Sequence, residues 1–408
     1  MGRIELYKDK SDCCGCEVCV NICKRNAIKM QEDEYGFLYP KIDSNLCIEC
    51  GQCKKVCSYQ NENIELNDPI SAEAAMAIDR EISLKSASGG IFAVLAKKIL
   101  QEGGSVYGCA FTCKDGVLYP EHIRVQSEKD LIRLQGSKYV HSRMGSIYKK
   151  VKEDLNEGRL VLFSGTPCQI DALNSYLKNQ DKNNLLTIDI ICHGTPSAKL
   201  FDEYLKQIEK NINGKIVDFK FRDKSGGWGL KGSIIYQDKR KKLRKKLLPV
   251  QLSSYYTLFL DSETYRENCY SCKYAGKRRT GDITLGDYWG IEDEHPEILV
   301  ENGGQIDKSM GISCVLINTK KGRQLLDSLE EKIERVPSSY EKIAKRNHQL
   351  IYPSSHSDIR HTIFKLYKQK GYSAIEQWYF NRLGIKQYIY KIWNYIPRKA
   401  QIFIKKIV

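Results

Sequence analysis

Two cysteine runs near the start of the chain decide the fold of that region: CCGCEVCVNIC at residues 13–23 and CIECGQCKKVC at residues 47–57. Apart from the additional Cys14, both runs have the spacing C-x2-C-x2-C-x3-C. A gap of two residues lets a short turn bring three sulfur atoms to one metal centre. Because the whole spacing occurs twice, the sequence predicts two such centres.

This spacing resembles that of bacterial ferredoxins with two 4Fe-4S clusters, in which each run gives three ligands to one cluster and its fourth cysteine to the other. Lys24 and Ser58 stand where these ferredoxins usually have proline, which loosens the turn but removes no ligand. Zinc is the alternative, but zinc sites use pairs of C-x2-C knuckles rather than two identical four-cysteine runs. We therefore predict iron–sulfur clusters, the first held by Cys13, Cys16, Cys19 and Cys57 and the second by Cys47, Cys50, Cys53 and Cys23.

The composition indicates a globular protein. Its 408 residues are 41% hydrophobic and 28% charged, which suffices for several domains with buried cores. No uninterrupted apolar stretch approaches the length of a membrane span, and the opening MGRIELYKDK has no apolar signal region, so we expect a cytoplasmic protein. In that compartment the 16 cysteines favour metal or redox chemistry over disulfides. The net charge of +15 favours an acidic partner without naming it.

Beyond the cysteine runs, the polar residues 58–69 predict a linker, after which strands and helices alternate. Continuous apolar runs at 159–165 and 185–192, separated by a helical pattern at 168–178, predict parallel strands in an α/β core. The segment from about 320 to 335 is predicted to be helical.

Four cysteines outside the two runs form a second candidate site. Cys168 and Cys192 each follow a predicted strand, and Cys269 and Cys272 form a C-x2-C pair. Strand ends are where ligands gather in α/β sheets, so four thiolates there would complete a third metal centre, iron–sulfur rather than zinc. Two buried thiols and a two-cysteine turn are the alternative. His193 follows Cys192 directly and has either a proton-transfer role or a structural one.

A dinucleotide-binding fingerprint occurs but is rejected. Gly227, Gly229 and Gly232 match G-x-G-x-x-G, yet the mechanism needs a helix after the glycines, and SIIYQ follows them. We expect a glycine-rich loop before a strand of a β meander.

Two regions are strongly basic. Seven of the eight residues 239–246 are Lys or Arg, which predicts either a solvated hairpin tip or a docking site for an acidic electron carrier. The aromatic or groove-reading residues that nucleic-acid binding needs are absent around it, so no nucleic-acid partner is expected. Residues 359–408 contain 11 Lys or Arg and a single acid, with frequent aromatics. This tail either makes peripheral contact with the inner face of a membrane or packs on the protein's own core.

Several long motifs resemble the coenzyme F-420 hydrogenase/dehydrogenase beta-subunit family. The resemblance covers residues 70 to 320, directly after the ferredoxin-like region. The motifs are SASGGIFAVLAKKILQEGGSVYGCAF (86–111), GSKYVHS (136–142), LFSGTPCQIDAL (162–173), DIICHGTPS (189–197), FRDKSGGWG (221–229) and CYSCKYAGKRRTGDITLGDYWG (269–290).

This resemblance implies a flavoprotein. Members of the family bind FAD and pass electrons between a two-electron carrier and iron–sulfur clusters, which strengthens the case for a third 4Fe-4S cluster on the four later cysteines. Lys138 and His193 are the candidates for a catalytic role, and Lys138 would place positive charge near a flavin anion. The implied FAD contacts are Ser88, Gly89, Gly90, Gly136, Ser137, Lys138 and Thr166.

The predicted fold class is α+β and α/β, with a mixed α/β flavoprotein core between a small dicluster ferredoxin domain and a helical basic tail. Four parts are expected. They are the ferredoxin domain at residues 1–62, the amino-terminal region of the F-420 beta-subunit type at 70–155, the carboxyl-terminal region of the same type with FAD and iron–sulfur sites at 156–335, and the tail at 336–408.

The predicted function is an oxidoreductase that exchanges electrons between 4Fe-4S clusters, FAD and either a small organic substrate or a redox carrier such as ferredoxin, NAD(P)H or a deazaflavin. Many bacterial relatives with a fused ferredoxin occur with polysaccharide or cell-envelope biosynthesis genes, which suggests such a substrate. A non-catalytic electron-relay subunit of a hydrogenase or dehydrogenase is the second hypothesis. A nonredox zinc scaffold is the third.

Overall fold

The computed structural model describes residues 4–60 and 65–396. The strands are β1 Ile28–Glu32, β2 Leu38–Ile42, β3 Ser71–Ala77, β4 Ser105–Lys114, β5 Val117–Val125, β6 Val161–Gly165, β7 Leu185–Ile190, β8 Lys215–Lys220, β9 Lys231–Gln237, β10 Leu243–Pro249, β11 Ile283–Asp287, β12 Ser313–Ile317 and β13 Ile333–Ser338. The α-helices are α1 Val18–Ile22, α2 Gln52–Lys55, α3 Arg80–Lys85, α4 Ile91–Gln101, α5 Ile147–Asn156, α6 Pro167–Tyr176, α7 Ala198–Ile212, α8 Ser254–Leu260, α9 Ile291–Glu294, α10 Lys320–Asp327, α11 Tyr340–Ala344, α12 Ile359–Lys370, α13 Tyr372–Leu383 and α14 Lys386–Tyr395.

The cysteine runs lie in a small α+β unit. β1 and β2 form an antiparallel hairpin in which Ile28 pairs with Ile42, and α1 and α2 begin within the two runs. Val18 and Val56 of this unit pack into the same apolar cluster as Phe163 of β6. The unit is therefore anchored directly on the larger core.

That core is built on one eight-stranded sheet with the order β13-β3-β12-β11-β7-β6-β4-β5. The inner strands β11, β7, β6 and β4 are parallel, which confirms the parallel pairing predicted for β6 and β7. β5, β12, β3 and β13 pair antiparallel, so the sheet is mixed. Strands from residues 70–155 and from residues 156–335 share this sheet.

The helix predicted at 320–335 is wrong in its second half. α10 ends at Asp327, and residues from Ile333 onward form the edge strand β13. Arg335 of β13 forms an ion pair with Glu73 of β3, with 2.6 Å between Nε and Oε2. Because Glu73 is far away in sequence, the local pattern does not reveal the partner that favours a strand.

Helices cover both faces of the sheet because side chains of successive strand residues point to opposite faces. Leu162 of β6 packs in a cluster with α4 and α10, whereas its neighbours Val161 and Phe163 pack in a cluster with α5 and α6. The parallel strands β6 and β7 have their carboxyl ends on the same side of the sheet, and Cys168 and Cys192 follow these ends.

A second layer contains the predicted β meander, an antiparallel sheet of order β10-β9-β8. It shares an aromatic-rich cluster with α7, α8, α12 and α13. The predicted helical tail is confirmed up to α14, and α12 and α13 pack on the protein's own core. Residues 397–408 of the predicted basic tail lie outside the described residues. Within the described part, no helix is long and apolar enough to span a bilayer.

Candidate functional site

The two cysteine runs share one backbone shape. The residues on either side of Cys16 and of Cys50, which hold matched positions in the two runs, have left-handed φ angles. The angles are 70° at Gly15 and 61° at Glu17 in the first run, and 52° at Glu49 and 72° at Gly51 in the second. Left-handed backbone is unfavourable for a residue with a Cβ atom, so its repetition at matched positions indicates a required turn. Glu17 is held by Arg143, whose Nε donates to its Oε1 at 2.8 Å.

Four thiols from both runs line one small cavity and form the first thiol group: Cys13, Cys16, Cys19 and Cys57. Burial raises the pKa of Cys19, and the nearby thiols of Cys13 and Cys57 raise it further. Burial likewise raises the pKa of Cys57, with Cys13 again contributing. The structure thus brings the last cysteine of the second run together with the first run, as in the crossed ferredoxin arrangement.

We define the second thiol group as the four cysteines that the spacing predicts for the second cluster: Cys23, Cys47, Cys50 and Cys53. Burial raises the pKa of Cys53, and the thiols of Cys23 and Cys47 raise it further. The Ala27 N–H donates to Cys23 Sγ at 3.4 Å. Cys50 is exposed, so this group reaches the surface, whereas Cys19 of the first group is buried.

The Cys168 group comprises Cys168, Cys192, Cys269 and Cys272. Cys168 lies in the first turn of α6 after β6, and Cys192 follows β7. Cys269 and Cys272 lie in and just after the 3-10 turn Glu267–Ser271. The carboxyl ends of β6 and β7 thus bring Cys168 and Cys192 to the C-x2-C pair, although the three segments are distant in sequence.

The four thiols influence one another's pKa, as close neighbours do. Burial raises the pKa of Cys192, and Cys269, Cys168 and Cys272 raise it further in that order. Burial and Cys272 raise the pKa of Cys269 to about 12, and burial and Cys168 raise that of Cys272 to about 11. Thr166 Oγ1 lies 3.1 Å from Cys168 Sγ.

Two of the three thiol groups line cavities. Within residues 4–60 and 65–396, no three Cys, His, Asp or Glu side chains converge as a site for one metal ion. Crowded, buried thiols are costly to ionise alone, and coordination to iron removes their protons. The first thiol group lines a small cavity, and the Cys168 group lines part of the wall of a larger one.

A cavity of about 400 Å³, the central cavity, adjoins the Cys168 group. All four thiols of that group line it. Cys14 lines both the central cavity and the cavity of the first thiol group. The pKa of the Cys14 thiol is affected by the thiols of both Cys16 and Cys168, so Cys14 lies between two of the thiol groups.

Most of the predicted FAD contacts also line the central cavity: Ser88, Gly90, Gly136, Ser137, Lys138 and Thr166. Gly89 is not among the lining residues. Its N–H donates to Ser313 Oγ at 3.0 Å, and an added Cβ would lie 2.4 Å from the Ala75 carbonyl oxygen. Gly89 therefore serves close packing of the α4 entrance against β3.

The two candidate catalytic side chains both face this cavity. Lys138 Nζ donates to the carbonyls of Arg133, Gln135 and Gly136 at 3.0, 2.8 and 3.2 Å, and burial lowers its pKa to about 8. Burial also lowers the pKa of His193, although Asp287 opposes the shift. His193 is therefore favoured as a neutral imidazole.

Sequence reasoning missed the charged wall of the cavity. Arg222 forms a two-pronged ion pair with Asp287, at 2.7 and 3.1 Å, and lies 5.2 Å from the Trp289 ring. Trp228 Nε1 donates to the same carboxylate at 2.8 Å. These residues belong to the motifs FRDKSGGWG and GDYWG, but the pairing of Arg222 with Asp287 across 65 positions carries no local signal.

Comparisons with known protein families match two parts of the chain. Residues 158–339 match the family described as the C terminus of the beta subunit in coenzyme F420 hydrogenase/dehydrogenase. Residues 12–61 match the 4Fe-4S dicluster domain, which supports iron–sulfur clusters in the cysteine runs.

Among individual proteins, the chain is 25% identical over 270 residues to an uncharacterized protein of Methanocaldococcus jannaschii, a match that covers 53% of this chain and 73% of that protein. A chain of the F420-reducing NiFe hydrogenase complex from Methanosarcina barkeri superposes with a TM-score of 0.44 and 18% identity over 70% of this chain and 90% of that chain. A TM-score of this size does not establish a shared fold. The two family matches are the stronger finding: residues 158–339 belong to the coenzyme F420 hydrogenase/dehydrogenase beta-subunit family, and residues 12–61 belong to the 4Fe-4S dicluster domain fused ahead of them.

Proposed function

We propose that the protein is an iron–sulfur flavoprotein oxidoreductase that exchanges electrons between 4Fe-4S clusters, FAD and a two-electron carrier or small organic substrate. The observation that carries the proposal is the central cavity, which is lined both by four thiols and by most of the predicted FAD contacts. Cys14 connects this cavity with that of the first thiol group.

The Cys168 group is proposed to hold a third 4Fe-4S cluster. Its four sulfur ligands come from two strand ends and one turn, which fixes them on rigid elements. The Thr166 hydroxyl lies within hydrogen-bond distance of Cys168 Sγ. Hydrogen bonds to cluster sulfurs tune reduction potentials, so Thr166 would tune this cluster.

FAD is proposed to bind in the central cavity. The volume of about 400 Å³ is in the range of ligand pockets, and the walls combine apolar surface with a few buried polar groups. When bound, a flavin supplies exchange between two-electron and one-electron chemistry. Gly90, Gly136 and Ser137 would allow close approach to the backbone, and Lys138 would supply positive charge.

Lys138 and His193 are proposed to control protons in the cavity. With its pKa lowered to about 8, Lys138 is able to release and regain a proton near neutral pH. A neutral His193 is able to accept one. Both side chains line the same cavity as the thiols, so proton and electron movement would be coupled there.

The physiological partners are part of the same proposal. Ferredoxin, NAD(P)H and deazaflavins are the candidate carriers, and polysaccharide or cell-envelope biosynthesis is the proposed setting. The alternative is a relay subunit without catalysis of its own. Peripheral contact with an anionic membrane through the basic C-terminal region is proposed as well, since α14 and the residue before it leave an apolar stripe exposed: Ile385, Tyr388, Ile389 and Ile392.

Anaerobic reduction distinguishes the enzyme hypothesis from the relay hypothesis. We expect one of the candidate carriers to bleach the flavin absorbance of the purified chain and to sustain turnover with a viologen acceptor. Flavin bleaching without turnover until a second subunit is added would favour the relay. No bleaching by any carrier, in protein that contains flavin and iron, would contradict the proposed function.

A further inference from the structure

Arg266 is a buried arginine at the border between the first thiol group and the Cys168 group. Its side chain is 1% exposed, and its Nη2 has no hydrogen-bond partner in the described structure. Its Nε donates to the Cys13 carbonyl at 2.7 Å, and its guanidinium carbon lies 3.9 Å from the Tyr39 ring centroid. A Cβ added at Gly15 would lie 3.1 Å from Nη1, so the guanidinium packs directly against the first cysteine run.

The backbone of the same residue is part of the other site. The Arg266 N–H donates to the Thr195 carbonyl at 3.0 Å, and the Arg266 carbonyl accepts from the Cys269 N–H at 3.0 Å. Thr195 lies three residues after Cys192. One residue therefore reaches the first thiol group through its side chain and the Cys168 group through its backbone.

Arg266 also differs from the other buried arginines in its charge partner. Arg222, Arg279 and Arg360 each form an ion pair with a carboxylate, at 2.7, 3.3 and 2.6 Å. Among the described residues, no carboxylate lies within ion-pair distance of Arg266. Burial lowers its pKa, and this is outweighed by Cys13, then Tyr39, Cys14 and Cys269, whose anionic forms raise it.

A buried cation without a carboxylate needs another anion to offset its desolvation. Thiolates bound to iron–sulfur clusters are such anions, and a cluster becomes more negative when it is reduced. A fixed cation nearby therefore stabilises the reduced form and raises the reduction potential.

We propose that Arg266 is the shared counter-cation of the first ferredoxin cluster and of the cluster on the Cys168 group, and that it raises the reduction potentials of both. The inference rests on the proposed third cluster. It makes Arg266 a positioning residue for electron exchange between the two sites, since it holds their potentials in a common range.

The test compares Arg266→Gln with Arg266→Lys in the full chain, purified anaerobically, by redox titrations monitored by electron paramagnetic resonance. We expect Arg266→Gln to shift the one-electron reduction equilibrium of both clusters about tenfold toward the oxidised form, which is about 59 mV. Arg266→Lys keeps the charge and should shift both by less than half as much. Arg335→Gln, at the far edge of the sheet, is the control and should leave the potentials unchanged.

Four outcomes would overturn the inference. Unchanged reduction potentials in Arg266→Gln at full iron content would exclude an electrostatic role for Arg266. A shifted potential in one cluster alone would exclude a role shared by both clusters. Equal loss of iron from both Arg266 variants would assign the residue to loop packing only. If wild-type protein shows only the two ferredoxin signals, the proposed third cluster fails, and the shared role fails with it.

Discussion

His122 illustrates how one side chain in the wall of the central cavity is fixed in a single protonation state. Its Nε2 lies 3.1 Å from the Ser164 carbonyl, which can only accept, so Nε2 carries the proton. Its Nδ1 lies 2.9 Å from Ser142 Oγ and accepts from it, while Ser142 in turn accepts from Gln169 Nε2 at 3.0 Å. The ring is therefore neutral, and burial lowers its pKa to about 4.

This arrangement predicts a pH dependence of stability. In the unfolded chain His122 titrates near its ordinary pKa of about 6.5, so between pH 6.5 and about 4 the unfolded state binds more protons. The free energy of unfolding should therefore fall by on the order of 2–3 kcal/mol through this residue as the pH falls across that window. His122→Gln cannot be protonated. Urea unfolding of anaerobic protein between pH 7.5 and 5 should show a weaker pH dependence for the variant than for the wild type, and identical slopes would contradict the prediction.

At the scale of single residues, the sequence predicts those whose role follows from a pattern within a short stretch of chain. The first and second thiol groups follow from spacing within two short runs, because the turn that gathers three sulfurs is a local structure. Arg222 and Arg266 carry no such signal, since the carboxylate of the first and the cysteine loop of the second are distant in sequence. The packing role of Gly89 is visible only in the fold, since its partner Ser313 is distant in sequence.

Among the elements, continuous apolar runs identified the buried parallel strands β6 and β7, since such strands have no solvent-facing side. The helix predicted beyond α10 is wrong. Its charged residues Glu334 and Arg335 suit an exposed helix as well as a strand, and only the pairing with β3 distinguishes the two. The pattern on an edge strand is weak evidence until the neighbouring strand is known.

The entrance to α4 gives a prediction about element packing. Gly89→Ala places a Cβ 2.4 Å from the Ala75 carbonyl oxygen and 2.9 Å from the Ser313 N–H. Both contacts are backbone atoms of a central sheet, so neither can move easily. We expect the free energy of unfolding to fall by about 1–3 kcal/mol.

The control is Gly108→Ala in β4, where an added Cβ would lie 3.7 Å from its nearest neighbour, Leu134. Denaturant unfolding monitored by circular dichroism compares the two variants with the wild type. Equal stability of Gly89→Ala and Gly108→Ala would show that the α4 entrance does not depend on close approach to β3.

On the scale of the whole molecule, the tail divides into a part that packs on the core and a part that is exposed. α12 and α13 are buried against the second layer through residues such as Ile363 and Ile375. The α14 region instead exposes Ile385, Tyr388, Ile389 and Ile392, at positions that share one helix face. The net charge of +15 and this stripe together favour an anionic lipid surface.

Vesicle sedimentation tests this surface. Wild-type protein should sediment with phosphatidylserine-containing vesicles. The triple change Ile385→Ser, Ile389→Ser and Ile392→Ser should reduce binding at least about tenfold, because each substitution removes apolar area that the lipid would bury.

The matched control changes three exposed apolar residues elsewhere, Ile70→Ser, Ile78→Ser and Val300→Ser. It should bind as the wild type does. Equal binding of the α14 variant and the control, or no binding by the wild type, would exclude α14 as a membrane contact.

The most direct test of the central claim is the cofactor content of the anaerobically reconstituted chain, measured as iron, acid-labile sulfide and flavin. Three 4Fe-4S clusters and one FAD predict about twelve iron atoms and about one flavin per chain, and Cys272→Ala should retain about eight iron atoms because only the Cys168 group loses a ligand. Wild-type protein with about eight iron atoms and no flavin, or with zinc in place of iron, would contradict the account.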